Sequence, residues 1–218
     1  MRKDRIRKPQ DLKGRKIGVA EYQLTANVWA RAVLADEGVA ATDVTWVRGG
    51  LEQAGRLEKV AVNLPKSLKL AAAPEGATLS ELLADGAIDA IISPRAPSCH
   101  DRGAAEVGWL FDDPVAAAKA YYGRTRIFPI MHLVGIKRPL AERHPWLPAA
   151  VLKAFSQAKD RALEHLGDTA ATKVTLPFVE EQLRTARALM GQDFWSYGLA
   201  ANRHVLDAFL NQIGRAHV

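Results

Sequence analysis

An α/β fold built on a parallel sheet follows from three features of the sequence. Short apolar runs begin at residues 17, 43 and 88, stretches with helical periodicity stand between them, and capping residues or glycines mark the joins. A β-α-β-α-β order of this kind calls for a parallel sheet with right-handed crossovers. Ligands of such sheets lie just beyond the carboxyl ends of the strands. The loops that leave the three strands are therefore where a site is sought.

Pro9–Lys16 reads as a turn leading into a strand over Ile17–Ala20. Glu21–Thr25 passes into a helix with Val28, Trp29, Ala32 and Val33 on its apolar face, and Gly38 is placed to end it. Thr25 is either the helix cap or part of an anion seat at the helix N-terminus. Asp43–Val47 alternates as a second strand and runs into Arg48-Gly49-Gly50, where the glycines would let backbone approach a ligand. Residues 51–73 carry mixed signals, with Val60–Leu64 and Leu68–Leu70 expected as short strands or irregular chain. Thr78-Leu-Ser-Glu81 is a capping box, Gly86 ends its helix, and Ile88–Ile92 is the third strand.

That strand breaks at Ser93-Pro94 into a loop holding Arg95, Ser98, Cys99, His100, Asp101 and Arg102, a crowding of chemistry at one strand end. Asp113-Pro114 opens a helix expected to stop at Gly123. After Arg124–His132 the run Leu133–Ile136 is expected as a strand, with His132 at its entry. Pro139–His144 is expected as a helical turn. A long helix from Pro148 to Gly167 carries Val151, Phe155, Ala158, Ala162 and Leu166 as a core stripe. A helix through Val179, Leu183, Ala186 and Met190 ends at Gly191, and Phe194, Trp195 and Tyr197 precede a last helix through Phe209, with docking of helices the commoner use for such aromatics.

With 218 residues, 48% of them hydrophobic, the chain can bury a real core. No apolar run is long enough to span a bilayer, and the basic start, Met1 to Lys8, is followed by no apolar signal segment. Cys99 is the single cysteine, which excludes an internal disulfide and a multi-thiolate zinc site. The net charge of +6 is spread along the chain, which suits a small anion, and no nucleic-acid-binding motif accompanies it. P-loop, GxGxxG, GxSxG and HExxH patterns are absent, and no histidine or cysteine spacing recommends a metal. Arginines, hydroxyls and one or two histidines remain, a set suited to a small carboxylate.

Asp11-Leu-Lys-Gly-Arg-Lys-Ile-Gly-Val19, Glu21–Thr25, Thr78–Gly86, Ile88-Asp-Ala-Ile-Ile-Ser-Pro-Arg-Ala-Pro-Ser98, Phe128-Pro-Ile-Met-His132 and Gly191-Gln-Asp-Phe-Trp195 together resemble the 4,5-dihydroxyphthalate decarboxylase family. The likeness covers nearly the whole chain and is most specific at the Ser-Pro-Arg-Ala-Pro-Ser and Phe-Pro-Ile-Met-His segments. It implies a type II periplasmic-binding-protein-like fold. Members carry a sizeable segment before the Asp-Leu-Lys-Gly turn where this chain has ten residues, so the resemblance implies an N-terminally truncated chain that is mostly the second lobe plus C-terminal helices. The organisation expected is a lead over 1–10, an α/β lobe over 11–167, C-terminal helices of the other lobe over 168–212, and a tail over 213–218. That tail, Ile213-Gly-Arg-Ala-His-Val218, breaks the preceding apolar rhythm and matches the translation of a common sequencing-adapter read-through, so it is expected to be non-native. A frayed natural end is the other reading.

The resemblance places Tyr22, Gln23, Thr25, Gly49, Gly50, Arg95, Ser98 and His100 on the substrate. It implies a cofactor-independent decarboxylase that converts 4,5-dihydroxyphthalate, or a related dihydroxy aromatic acid, to protocatechuate and carbon dioxide in the cytoplasm. Chemistry and placement give Arg95 the substrate carboxylate and His132 the proton. The other reading is a periplasmic binding protein that holds a small aromatic anion and catalyses nothing, because this fold serves binders and enzymes alike. Neither reading requires nucleic acid or a membrane, and the sequence leaves the oligomeric state open.

Overall fold

The structure, a computed structural model, describes residues 1–59, 61, 63–170 and 173–217, with the side chains of 215–217 left out. It has the expected α/β character. Strands β1 (Lys16–Val19), β2 (Thr45–Arg48), β3 (Lys69–Ala72) and β4 (Ala90–Ile92) form one sheet in the order β3-β2-β1-β4, and every pair is parallel. By compactness the chain falls into two units, Met1–Ala118 with Asp207–Val218, and Lys119–Leu206. The boundary after Ala118 lies inside the 11–167 segment.

The first unit holds the sheet and both apolar clusters. Alternation along the strands sorts the side chains. Ile17, Val19, Trp46 and Ala90 pack on one face with Ile6, Leu12 and Leu34, while Val47 packs on the other with Leu79, Leu83, Ile88 and Cys99. Gly18 faces this second cluster at a point with no room for a side chain, since a Cβ there would lie 2.8 Å from Ile88 Cδ1 and 3.0 Å from Leu79 Cδ2. The basic start is tied to the sheet. Ile6 is fully buried, Arg2 N–H donates to Asp89 O at 2.8 Å, and Arg5 pairs with the Asp89 carboxylate at 3.0 Å.

Helix α1 (Thr25–Asp36) buries Val28, Trp29 and Ala32 as its spacing requires, and Gly38 follows with φ +80°. Its cap is Leu24, so Thr25 occupies the first helical position and does not cap. Helix α2 (Leu79–Ala84) has the full capping box: Glu81 N–H donates to Thr78 Oγ1 at 3.2 Å, and Thr78 N–H donates to Glu81 Oε2 at 3.0 Å. Of the uncertain 51–73 stretch, β3 begins one residue after Leu68, whereas the Val60–Leu64 reading lies partly on residues 60 and 62, outside the described residues. The loop after β4 folds into a single helical turn, α3 (Ser98–Asp101), instead of staying irregular. In α4 (Pro114–Thr125) Asp113 Oδ1 accepts from Ala116 N–H at 2.9 Å as the cap, but the helix passes through Gly123. One interior glycine costs about 1 kcal/mol, too little to end a helix by itself. The stop is Arg126, with φ 58°, whose N–H closes on Tyr122 O at 2.7 Å.

Three further expectations are corrected in the later part of the chain. Leu133–Ile136 is not a strand, for no described strand pairs with it, and Leu133 is 77% exposed. An apolar run without a partner has no ladder to hold it. Helix α5 (Arg138–Arg143) is the expected turn, and α6 (Leu147–Gly167) has the expected span, but the α6 stripe is not core: no residue of α6 is buried and Phe155 is 46% exposed. The periodicity marks a face that is covered only in part, for Val151 and Leu166 are half-buried whereas Phe155, Ala158 and Ala162 are exposed. Helix α7 (Val179–Met190) ends at Gly191 as expected and buries Leu183. The final helix α8 (Leu199–His217) extends past Phe209 through residues 213–217. Phe128 and Trp195 meet edge to face at 5.6 Å, a docking contact within the second unit.

Candidate functional site

In the first unit the carboxyl ends of β1, β2 and β4 deliver three loops to one edge of the sheet, and the predicted residues divide among them. The loop after β1 turns inward. Tyr22 is 1% exposed, with its ring edge-on to Trp46 at 5.6 Å and the Arg31 guanidinium 3.9 Å above its centroid. Arg31 Nη1 donates to Tyr22 O at 2.6 Å. A cation held on an aromatic face away from water is worth about 2 kcal/mol. Burial pushes the Tyr22 hydroxyl above its ordinary pKa and holds the Arg31 guanidinium below its own, the nearby Tyr22 and Glu58 opposing the latter shift. Tyr22 Oη has no protein partner among the described residues.

Glu21, beside it, carries a role that the sequence reading did not assign. Its buried carboxylate accepts from Arg56 Nε at 3.0 Å and Nη2 at 2.5 Å, and Glu58 Oε1 accepts from Tyr22 N–H at 2.5 Å. Two side chains of the 51–59 loop thus fasten it over the end of β1. Gln23 and Thr25 are half-buried at the start of α1.

The glycines after β2 serve a tight turn. A Cβ on Gly50 would fall 1.6 Å from Gln53 O, and one on Gly49 would fall 2.9 Å from Ala73 Cβ. Gly50 O and Leu51 O accept from Leu79 and Ser80 N–H, so the turn is stitched to the head of α2. Glu52, just beyond, accepts from Ser98 N–H at 2.7 Å and from Ser98 Oγ at 2.6 Å. Ser98 Oγ also lies 3.1 Å from Ser80 Oγ and from Arg102 Nη1. Ser98 is therefore already engaged by a carboxylate of the chain itself. No sequence motif marked Glu52 or Ser80, because their pairing spans 46 and 18 residues.

The loop after β4 opens onto a cleft of about 330 Å³. Its walls are apolar, formed by Ile17, Val33, Leu34, Ala90, Ile92, Leu110 and Phe111 among others, and Ser93, Arg95 and His100 also line it. Arg95 is exposed. The His100 ring lies 4.9 Å from that of Trp109, and its Nδ1 is 3.4 Å from Asp101 Oδ1. Arg95 and His100 are the predicted residues that share this cleft. Tyr22, Gln23, Thr25, Gly49, Gly50 and Ser98 are not among its lining residues, and His132 belongs to the second unit, where it is exposed. Trp109 had no place in the sequence reading, since a tryptophan beyond a glycine-containing turn carries no signal of what it will stack on. Among the described residues no cluster of three or more His, Cys, Asp or Glu is placed to hold a metal ion.

Such a cleft, apolar in its walls with a guanidinium and an imidazole among its lining groups, suits a flat ring that carries an acid group. Residues 1–61 match the family described as NMT1/THI5 like, whose periplasmic-binding-protein-like fold agrees with the parallel sheet. The 4,5-dihydroxyphthalate decarboxylase of Comamonas testosteroni is 60% identical over 212 residues, which cover 96% of this chain and 64% of that protein. The enzyme of the same name from Pseudomonas putida is 54% identical over 124 residues, 56% of this chain and 48% of that protein. The chain thus spans less than two thirds of the length of these curated relatives. With three residues in five identical along nearly all of its own length, the chain is similar to the 4,5-dihydroxyphthalate decarboxylases.

Proposed function

We propose that this chain acts in the decarboxylation of 4,5-dihydroxyphthalate to protocatechuate and carbon dioxide, without a cofactor, in the cytoplasmic breakdown of aromatic acids. The observation that carries this reading is the 60% identity to a protein of that name, which extends through the loops at the carboxyl ends of the strands. The cleft supports the reading. Apolar walls accept the ring, and Arg95 offers a planar fork of donors to one carboxylate. Among the described residues no helix is long and apolar enough to cross a membrane.

Incubation of the purified protein with 4,5-dihydroxyphthalate, with carbon dioxide and protocatechuate followed together, tests the proposal. Equal release of both products is expected. Saturable binding with no product would instead favour a protein that holds the acid without transforming it. Arg95→Ala is expected to weaken binding about 10- to 100-fold through loss of a charge-assisted contact. Arg102→Ala should weaken it far less, because that guanidinium donates to Ser98 Oγ. Equal losses in calorimetric titrations of the two variants would remove Arg95 from the carboxylate.

A further inference from the structure

The decarboxylation needs one proton and a group placed to deliver it. The bond between a ring carbon and its carboxylate breaks, its electron pair stays with the ring, a proton takes the vacated position, and carbon dioxide leaves. The hydroxyl para to that carbon supplies electron density while the proton adds, so no oxidant, reductant or further reactant is required. On sequence grounds the proton fell to His132, which is exposed in the second unit.

His100 is differently placed. It is the histidine that lines the cleft which Arg95 also lines, and its ring is held on two sides, by the Trp109 indole at 4.9 Å and by Asp101 Oδ1 at 3.4 Å from Nδ1. With Nδ1 beside the Asp101 carboxylate, Nε2 is the nitrogen left for proton transfer. The other described histidines are engaged or placed elsewhere: His204 Nε2 lies 2.9 Å from Arg126 O, His144 stacks near Trp146, and His132 and His165 are exposed. We propose that His100 delivers the proton to the ring carbon of an aromatic carboxylate held by Arg95, and is recharged from solvent. This inference rests on the decarboxylase reading and adds to it the residue and the cleft.

The test follows the imidazole NMR signals of the chain during titration with 4,5-dihydroxyphthalate, using His100→Asn and His132→Asn for assignment, and measures carbon dioxide release for each variant. A saturable shift of the His100 signal is expected, with affinity in His100→Asn within about threefold of the parent and release slowed about 100-fold or more. His100→Gln, which keeps a side chain of similar length, should behave alike. His100→Ala should recover part of its rate on addition of free imidazole, a rescue that a merely structural role would not produce. Parent-like release by His100→Asn and His100→Gln overturns the proposal, as does movement of the His132 signal while that of His100 stays still. Bound substrate that yields no carbon dioxide in the parent protein overturns the decarboxylase reading itself, an outcome distinct from the loss of His100 alone.

Discussion

Tyr22 shows how one side chain can take two meanings. In sequence it belongs to a loop beyond a strand, where a phenol could touch a ligand. In the structure its ring is core, pressed between Trp46 and Arg31, while its hydroxyl is buried without a partner among the described residues. An unpaired buried hydroxyl costs about 1–3 kcal/mol by mutational standards. Tyr22→Phe keeps the ring and its cation contact and removes that cost. It is expected to leave stability unchanged or to raise it by up to about 2 kcal/mol in urea unfolding. A loss of more than 1 kcal/mol would show instead that the hydroxyl has a partner in solution. Glu21 is the complementary case: burying its carboxylate is tolerable because Arg56 arrives from 35 residues away, a pairing that only the folded loop creates.

At the scale of elements, the second helix is the part of the chain whose local chemistry is most complete. Thr78 and Glu81 satisfy one another's backbone amides, Gly86 supplies φ +73° beyond the end, and Leu79 and Leu83 reach the core. Bonds from the Thr78 side chain, then from its backbone, hold the Glu81 carboxyl below the usual carboxylate range. A carboxyl depressed by folding contributes stability that is fully present above its unfolded pKa and is lost as pH falls through its folded pKa. Loss of the N-cap side chain in Thr78→Ala is expected to cost about 1 kcal/mol at neutral pH. In denaturant melts that deficit should shrink in part as the pH is taken below the carboxylate range, because protonation weakens the bond from Thr78 Oγ1 to Glu81 Oε2 in the parent while the cap bond from Glu81 N–H to Thr78 Oγ1 remains. A deficit independent of pH would mean that Glu81 adds nothing to the cap.

Across the whole molecule, burial is unevenly shared. The first unit places ten residues in one buried cluster and six in the other, whereas α6 of the second unit buries none. Local opening follows burial, since amides in well-packed strands exchange only when much of the fold opens, while those of exposed helices exchange through cheap local events. Hydrogen exchange is accordingly expected to be slowest in β1 and β2, and faster by orders of magnitude in α6 and in residues 126–137. Protection of α6 equal to that of β1 would contradict this and would point to cover on its apolar face.

Much of the fold was legible in the sequence because its signals are local. The strands at 17, 43 and 88, the capping box, the aspartate cap before Pro114 and the glycine stops at 38, 86 and 191 each depend on residues within a few positions of one another, and each is present. The arginine and histidine after the last strand could also be nominated from sequence, by the rule that loops at strand ends gather function. Tertiary structure decided what depends on distant partners. It left Leu133–Ile136 without a neighbouring strand among the described residues, covered the α6 stripe only in part, turned Tyr22 inward and gave Ser98 to Glu52. It also set His100 against Trp109 in the cleft that Arg95 lines. Periodicity states which face of an element is apolar, but whether that face is buried depends on another part of the chain arriving to cover it.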